Sequence, residues 1–211
     1  MTILGPSGSG KSTLLRLISG LEIQTEGEVV LSSPKNEISF VFQDAALLPW
    51  KSVLDNITLP LTLRGVPKLE AQSRAQPWIE KLKLSRFVSA HPHQLSGGLK
   101  MRVSIARALI TEPKLLLLDE PFSALDEPIR IELGLELREL WKNLNPTVLL
   151  VTHSITEGIW LGDRVLVLSG QPGLSVLDQR IELGKDRSMA QRAHPEFLGL
   201  VNQCYELLRG P

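Results

Sequence analysis

The chain has 211 residues, of which 43% are hydrophobic and 22% are charged, and this excludes a disordered or fibrous protein. Lysine plus arginine and aspartate plus glutamate number 23 each, so no overall basic field exists to attract a nucleic-acid backbone. We therefore predict one α/β domain that buries a substantial core and has no nucleic-acid partner.

The apolar runs are shorter than the roughly 20 residues of a membrane-spanning helix. The first residues do not have the pattern of a signal peptide. The single cysteine, Cys204, cannot form an internal disulfide, which is typical of a reducing compartment. We expect a cytoplasmic chain in which Cys204 is an apolar residue of a C-terminal amphipathic helix.

The first predicted element is a strand from Thr2 to Leu4, and a glycine-rich loop follows it. Gly5, Gly10, Lys11 and Ser12 match the pattern G-x-x-x-x-G-K-[ST] at every fixed position. Glycines let backbone N–H groups surround phosphate oxygens, the next helix points its positive end at them, and the lysine reaches the outer phosphates. We predict a nucleotide-binding loop made of Gly5, Pro6, Ser7, Gly8, Ser9, Gly10, Lys11, Ser12 and Thr13, with the Ser12 hydroxyl as a ligand of Mg²⁺.

Further short apolar runs predict strands, and several of these runs are continuously apolar, as in parallel strands covered on both faces. Apolar residues at helical spacing predict a helix from about Pro128 to Leu144. Strand, helix and strand in this order indicate βαβ units. The further predicted strands are Glu28 to Leu31, Ile38 to Phe42, Leu115 to Asp119, Val148 to Val151, Arg164 to Leu168, and Leu174 to Ile181.

A helical insertion interrupts this alternation, since no strand pattern appears from Ala45 to Arg107. Pro77 predicts either a kink or two shorter helices within the run KLEAQSRAQPWIEKLKL. Trp50 fits the core or a contact with a partner, and we favour the core for a large aromatic. We predict a single domain over residues 1–211, in which 1–44 and 108–211 form the core and 45–107 the helical subdomain.

Two carboxylates end a buried apolar strand in the run KLLLLDEPFSALD. Ligands of parallel sheets collect at this edge. Taken alone, Asp119 and Glu120 fit a solvated strand end, but after a phosphate loop they predict catalysis. We expect Asp119 to hold Mg²⁺ and Glu120 to polarise the attacking water as a general base.

Four other segments resemble those of ATP-binding cassette (ABC) proteins. They are VFQDAALLPWKSVLDNI, similar to the Q-loop, HQLSGGLKMRVSIARAL, similar to the signature, SALD, similar to the D-loop, and VTHS, similar to the switch histidine. The resemblance implies a P-loop NTPase fold of the ABC ATPase type, with a mostly parallel sheet. It implies ATP and Mg²⁺ as cofactors and a dimer in which each ATP lies between one subunit's phosphate loop and the other's signature.

Residue roles follow from the same resemblance. Gln43 would help to coordinate Mg²⁺ and His153 would contact the γ-phosphate, so that Gln43 and His153 join Glu120 as catalytic residues. Ser96, Gly97 and Gly98 of the signature would act on the partner's ATP, and Asp126 would act across the interface.

The segments around these motifs look most like the ATPase subunits of nitrate, sulfonate and taurine importers. This implies docking of the helical subdomain on permease subunits at the cytoplasmic face of the plasma membrane. A periplasmic or surface solute-binding protein would act indirectly. The alternatives are a soluble cassette ATPase that is not coupled to transport, and a truncated cassette with weak nucleotide binding and no turnover.

Members of this family carry antiparallel strands before the phosphate loop, including an aromatic residue that stacks on adenine. The resemblance implies that this region is largely missing, and we expect Met1 to be an internal codon read as the start. Loss of the stacking is expected to weaken nucleotide binding about five- to 150-fold.

Overall fold

The computed structural model describes residues 1–32, 34–170, 173–184 and 187–209. In this part of the chain, six strands form one sheet in the order β2-β3-β4-β1-β5-β6. The first five strands in that order are parallel, and β6 is antiparallel to β5. The strands are β1 (Thr2–Leu4), β2 (Ile38–Val41), β3 (Leu115–Asp119), β4 (Thr147–Thr152), β5 (Arg164–Ser169) and β6 (Leu174–Arg180).

The helices cover the sheet and form the insertion between β2 and β3. They are α1 (Lys11–Ser19), α2 (Val53–Leu63), α3 (Lys68–Lys81), α4 (Gly97–Leu109), α5 (Glu127–Leu144), α6 (Ile155–Leu161) and α7 (Pro195–Arg209). Within the described ranges, no helix has the length and apolar character needed to cross a membrane. The predicted α/β fold with a mostly parallel sheet is confirmed.

The short strand β1 is held on both sides. Thr2, Ile3 and Leu4 pair with β4 and with β5, and all three are buried. The amino group of Met1 donates a hydrogen bond of 2.8 Å to the carbonyl of Val148. Because β1 lies between two parallel neighbours, three residues suffice to fix the start of the loop that follows.

The helical insertion packs on the sheet through a shared core. Trp78 and Ile79 of α3, Ile105 of α4 and Leu118 of β3 belong to one cluster of buried apolar side chains. Pro77 lies inside a continuous helix, so the alternative of two shorter helices is wrong. The buried neighbours Trp78 and Ala75 anchor the helix on both sides of the proline, which offsets the hydrogen bond that proline cannot donate.

Two predictions from the sequence are wrong, because the segments concerned do not make the predicted strand pairing or core contact. Residues 28–31 are not a strand, and Val30 is 80% exposed, because no described strand pairs with this segment. Trp50 is 72% exposed, so its prediction as a core residue is wrong. It lies in the turn before α2, whose buried residues Val53 and Ile57 face the core in its place.

The close packing of α6 on β1 predicts an effect of substitution at Gly158. A Cβ atom there would lie 2.7 Å from Cδ2 of Leu4, which is too close for a real contact. We expect Gly158→Val to lower the free energy of unfolding by about 1–3 kcal/mol, measured by urea denaturation. Gly199, an exposed residue of α7 with open space at the same position, is the matched control. Gly199→Ala should raise stability by about 0.5–1 kcal/mol, and equal effects of the two changes would contradict the packing.

The burial of Cys204 predicts an inert thiol. Cys204 lies in α7 and is fully buried, which confirms its predicted role as an apolar residue of a C-terminal helix. Burial raises the pKa of its thiol to about 11, which leaves about one thiolate per thousand molecules at pH 8. Iodoacetamide should label the folded chain at least ~100-fold more slowly than the urea-unfolded chain. Complete labelling of the folded chain within minutes would contradict this burial.

Candidate functional site

The loop after β1 has the backbone of a phosphate-binding turn. Gly8 and Gly10 adopt φ of 81° and 88°, a left-handed conformation that side chains disfavour. Gly10 is the N-cap of α1, so the positive end of that helix faces the loop. The structure therefore places Gly5 to Gly10 in one continuous turn between β1 and α1, and Lys11, Ser12 and Thr13 in the first turn of α1.

Lys11 is folded back onto this loop. Its Nζ donates hydrogen bonds of 2.9 and 2.8 Å to the carbonyls of Gly5 and Pro6, and the residue is only 5% exposed. Burial lowers the pKa of Lys11, while the charges of Glu120 and Asp119 act in the opposite direction. A buried cation thus lies on the loop within the electrostatic reach of two carboxylates.

Ser12 and Asp119 lie next to each other, although 107 residues separate them. The Ser12 hydroxyl donates a hydrogen bond of 2.8 Å to Oδ1 of Asp119. Burial raises the pKa of Asp119, and the bond from Ser12 opposes that rise. A hydroxyl and a carboxylate are the hard oxygen ligands that Mg²⁺ prefers, so these two residues fit the ion. In the described ranges, no group of three or more His, Cys, Asp or Glu side chains has the spacing of a metal site.

Glu120 follows at the end of β3 in a strained conformation. Its φ is 45°, which is rare outside glycine and is often found at functional sites. Its N–H donates to the carbonyl of Val151 at 2.9 Å, which ties the turn to β4. Its Oε2 lies 2.9 Å from Nδ1 of His153. The strained turn thus directs the carboxylate to the residue that follows β4.

Gln43 reaches the same sheet edge through Ser123. Its Nε2 donates to Oγ of Ser123 at 3.4 Å, and that hydroxyl donates to the carbonyl of Glu120 at 2.9 Å. The described contacts of Gln43 do not include Ser12 or Asp119, its predicted companions at Mg²⁺. Ser123 was not predicted from the sequence, although its place in the run DEPFS was a signal.

The signature and the D-loop lie against each other. Ser96 is the N-cap of α4 and accepts a hydrogen bond of 3.3 Å from the N–H of Leu99. A Cβ atom on Gly98 would lie 3.2 Å from Ile129. Asp126 is the exposed N-cap of α5, and Ser96 and Gly97 are also exposed. The described neighbours of Ser96, Gly97 and Gly98 belong to their own helix and to residues 124–129, and among the described residues they do not include the phosphate loop.

Two further charged residues near this edge have no counterpart among the predicted site residues. Arg130 lies on α5 and Glu157 on α6, and the two side chains form an ion pair at 4.0 Å. The signal in the sequence was a charge within an otherwise apolar run, since Glu157 is the only charged residue of ITEGIWL. Helical periodicity alone does not separate such a buried charge from an exposed one.

Known proteins match the chain over nearly its whole length. The family described as ABC transporter matches residues 1–123. The chain is 45% identical to the aliphatic sulfonates import ATP-binding protein SsuB 2 of Rhodococcus jostii, over 93% of the chain and 78% of that protein. It is 41% identical to the taurine import ATP-binding protein TauB of Rhizobium johnstonii, over 97% and 82%. It is 38% identical to the nitrate import ATP-binding protein NrtD of Synechocystis, over 98% and 82%.

A solved structure agrees with these relatives. It is a dimeric post-hydrolysis state of the ATP-binding cassette MJ0796 bound to ADP and Pi. The chain superposes on it with a TM-score of 0.76 at 34% identity, covering 86% of this chain and 84% of that one. The chain therefore belongs to the ABC transporter family and has the fold of that family's ATP-binding cassettes.

Proposed function

We propose that the chain binds Mg-ATP, hydrolyses it to ADP and phosphate, and thereby drives a membrane importer. The proposal rests on one observation, which is that two pairs of side chains lie beside the phosphate loop. The pair Ser12 and Asp119 is suited to a metal, and the pair Glu120 and His153 is suited to water and phosphate.

Each residue of the site has a role in ATP hydrolysis that follows from its chemistry. The loop N–H groups and the cation of Lys11 bind phosphate oxygens and hold them in place. Ser12 and Asp119 would hold Mg²⁺, with Gln43 as a third oxygen ligand, and the bound ion would supply positive charge beside the phosphates. Glu120 accepts a proton from the attacking water, which requires its carboxylate to be ionised. His153 contacts the γ-phosphate and is oriented by Glu120 at 2.9 Å.

The exposed signature supports a site completed by a second subunit. Ser96, Gly97 and Gly98 begin a helix whose positive end suits a phosphate. Ser96 and Gly97 are exposed, and a Cβ atom on Gly97 would lie 3.9 Å from the carbonyl of Ala124, so the start of this helix lies near the exposed Asp126. We propose that two chains pair so that each signature closes the partner's ATP site.

The helical subdomain of residues 45–107 is the proposed docking unit for permease subunits, while 1–44 and 108–211 form the nucleotide-binding core. The exposure of Trp50, Leu63 and Leu69 on this subdomain supports a protein contact there. The names of the relatives support a small anionic or zwitterionic solute, such as nitrate, a sulfonate or taurine, delivered by a separate binding protein. The ATPase would then lie peripherally on the cytoplasmic face of the plasma membrane.

Thermal unfolding with and without Mg-ATP tests the first part of the proposal. A ligand at 100 times its Kd stabilises the folded chain by about 2.7 kcal/mol, so the midpoint should rise with nucleotide and phosphate should be released. No rise and no release would favour a truncated cassette without function. Deletion of the gene should abolish growth on one of the three solutes. Unimpaired growth beside a normal ATPase would favour a cassette that is not coupled to transport.

A further inference from the structure

Glu157 is a buried carboxylate close to the proposed catalytic histidine. It is 8% exposed and lies in the first turn of α6, four residues after His153. Burial raises the pKa of Glu157, while a hydrogen bond with Thr152 and the charge of Arg130 lower it. Because a buried charge is costly without partners, its contacts indicate what it holds in place.

The contacts of Glu157 lie on both sides of His153. A hydrogen-bonding interaction with Thr152, the residue before the histidine, lowers the pKa of its carboxyl. Its N–H donates at 3.4 Å to the hydroxyl of Ser154, the residue after the histidine, and the N–H of Ser154 donates at 3.1 Å to the hydroxyl of Thr152. The three residues thus fix the backbone from which His153 extends to Glu120.

Arg130 connects this unit to the D-loop. Its Nε lies 4.0 Å from Oε2 of Glu157, and its Nη2 donates a hydrogen bond of 2.9 Å to the carbonyl of Leu125. Leu125 immediately precedes Asp126, the predicted contact across the dimer interface. One guanidinium therefore contacts a carboxylate of α6 and the backbone of the D-loop.

The ion pair between Arg130 and Glu157 is long. At 4.0 Å the contact is ionic but too long for a hydrogen bond, and Nε of Arg130 is buried without a hydrogen-bond partner among the described residues. A cavity of about 40 Å³ beside it is lined by residues that include Arg130, Glu157 and Trp160. This is enough room for a water molecule or for a small movement of the guanidinium.

We propose that Glu157 and Arg130 are positioning residues that couple the orientation of His153 to the position of the D-loop. The inference rests on the proposed function, in which His153 acts on ATP and Asp126 faces the second subunit. Movement of the D-loop on dimerisation would be transmitted through Arg130 and Glu157 to the residues around the histidine. A purely structural ion pair would only join α5 to α6, and such pairs often contribute little stability.

Hydrogen exchange followed by mass spectrometry separates these two roles in the full chain. We expect Glu157→Gln to raise exchange in residues 123–126, and Arg130→Met to raise it in residues 152–157, each by at least ~5-fold. The effect should appear on the element that does not carry the substitution. Exchange that rises only beside the substituted residue would overturn the coupling. The matched control is Asp178→Asn, which breaks the exposed ion pair between Arg164 and Asp178 on β5 and β6 and should alter neither segment.

Steady-state kinetics provide the second readout. Both variants should lower kcat for ATP hydrolysis by about 10-fold, with less than about a twofold change in the KM for Mg-ATP. The double variant should lose no more than either single variant, because the two residues act as one unit. Normal kcat in a folded Glu157→Gln chain would overturn the inference, as would additive losses. An unsubstituted chain that hydrolyses no ATP would contradict the proposed function instead, and the exchange experiment would then decide the coupling by itself.

Discussion

Replacing Lys11 with methionine should lower the affinity for Mg-ATP by at least ~100-fold. The ammonium group lies buried on the phosphate loop, 2.9 and 2.8 Å from the carbonyls of Gly5 and Pro6. A phosphate oxygen offers the same cation a charged partner, and hydrogen bonds between charged groups contribute about 1.5–3 kcal/mol each. Methionine retains the length of the side chain and loses the charge. Titration calorimetry with Mg-ATP measures the change directly.

The control for this substitution is Lys35→Met. Lys35 is exposed and lies next to Gly20, at the far end of α1 from the loop. Its replacement should leave the affinity unchanged, which separates the local role of Lys11 from a general loss of positive charge. Because Lys11→Met also removes two hydrogen bonds within the loop, melting without nucleotide must establish that the variant is folded. Full affinity in the folded variant would contradict a nucleotide site at this loop.

Replacing Glu120 with glutamine should slow ATP turnover at least ~100-fold while ATP still binds. Glutamine has the same shape but cannot accept a proton from water, and the phosphate loop is unchanged. The strained backbone at φ 45° and the contact with His153 at 2.9 Å hold this side chain at the site. Phosphate release under saturating Mg-ATP, together with the equilibrium affinity, measures the two effects separately.

Glu112 offers a matched control for Glu120→Gln. It also has a positive φ, of 50°, and it precedes β3 where Glu120 follows it. Glu112 is exposed and belongs to none of the predicted motifs, so Glu112→Gln should leave turnover unchanged. Unaltered phosphate release in Glu120→Gln would exclude Glu120 as the general base.

A buried parallel strand can be predicted from its sequence when its residues form a continuous apolar run. The strand β3 is continuously apolar from Leu115 to Leu118 because both of its faces are covered, and its predicted bounds, Leu115 to Asp119, agree with the structure. Residues 29–31 have a similar apolar character, but no strand of the described ranges pairs with them. Strand formation requires a hydrogen-bonding neighbour, and one segment read by itself does not contain that information.

The candidate site shows the same division between local pattern and tertiary contact. The turn from Gly5 to Gly10 follows from its own residues, because glycine spacing determines the backbone there. The pairing of Glu120 with His153 joins residues 33 apart in the sequence and depends on the neighbouring positions of β3 and β4. The link between Arg130 and Glu157 depends on how α5 and α6 pack, which no motif describes.

Mixing two inactive variants tests the central claim that each ATP site is completed by a second subunit. The first variant is Lys11→Met. The second is Gly97→Asp, which places a negative charge at the signature, where a Cβ atom would meet only the carbonyl of Ala124 at 3.9 Å. Each variant should be inactive alone, since both sites of its homodimer are defective.

In an equal mixture, about half of the dimers contain one of each variant, and each of these has one intact site and one doubly defective site. The mixture should therefore recover about a quarter of the unsubstituted activity. A mixture that stays inactive, although mass spectrometry detects the mixed dimer, would contradict ATP sites shared between two chains.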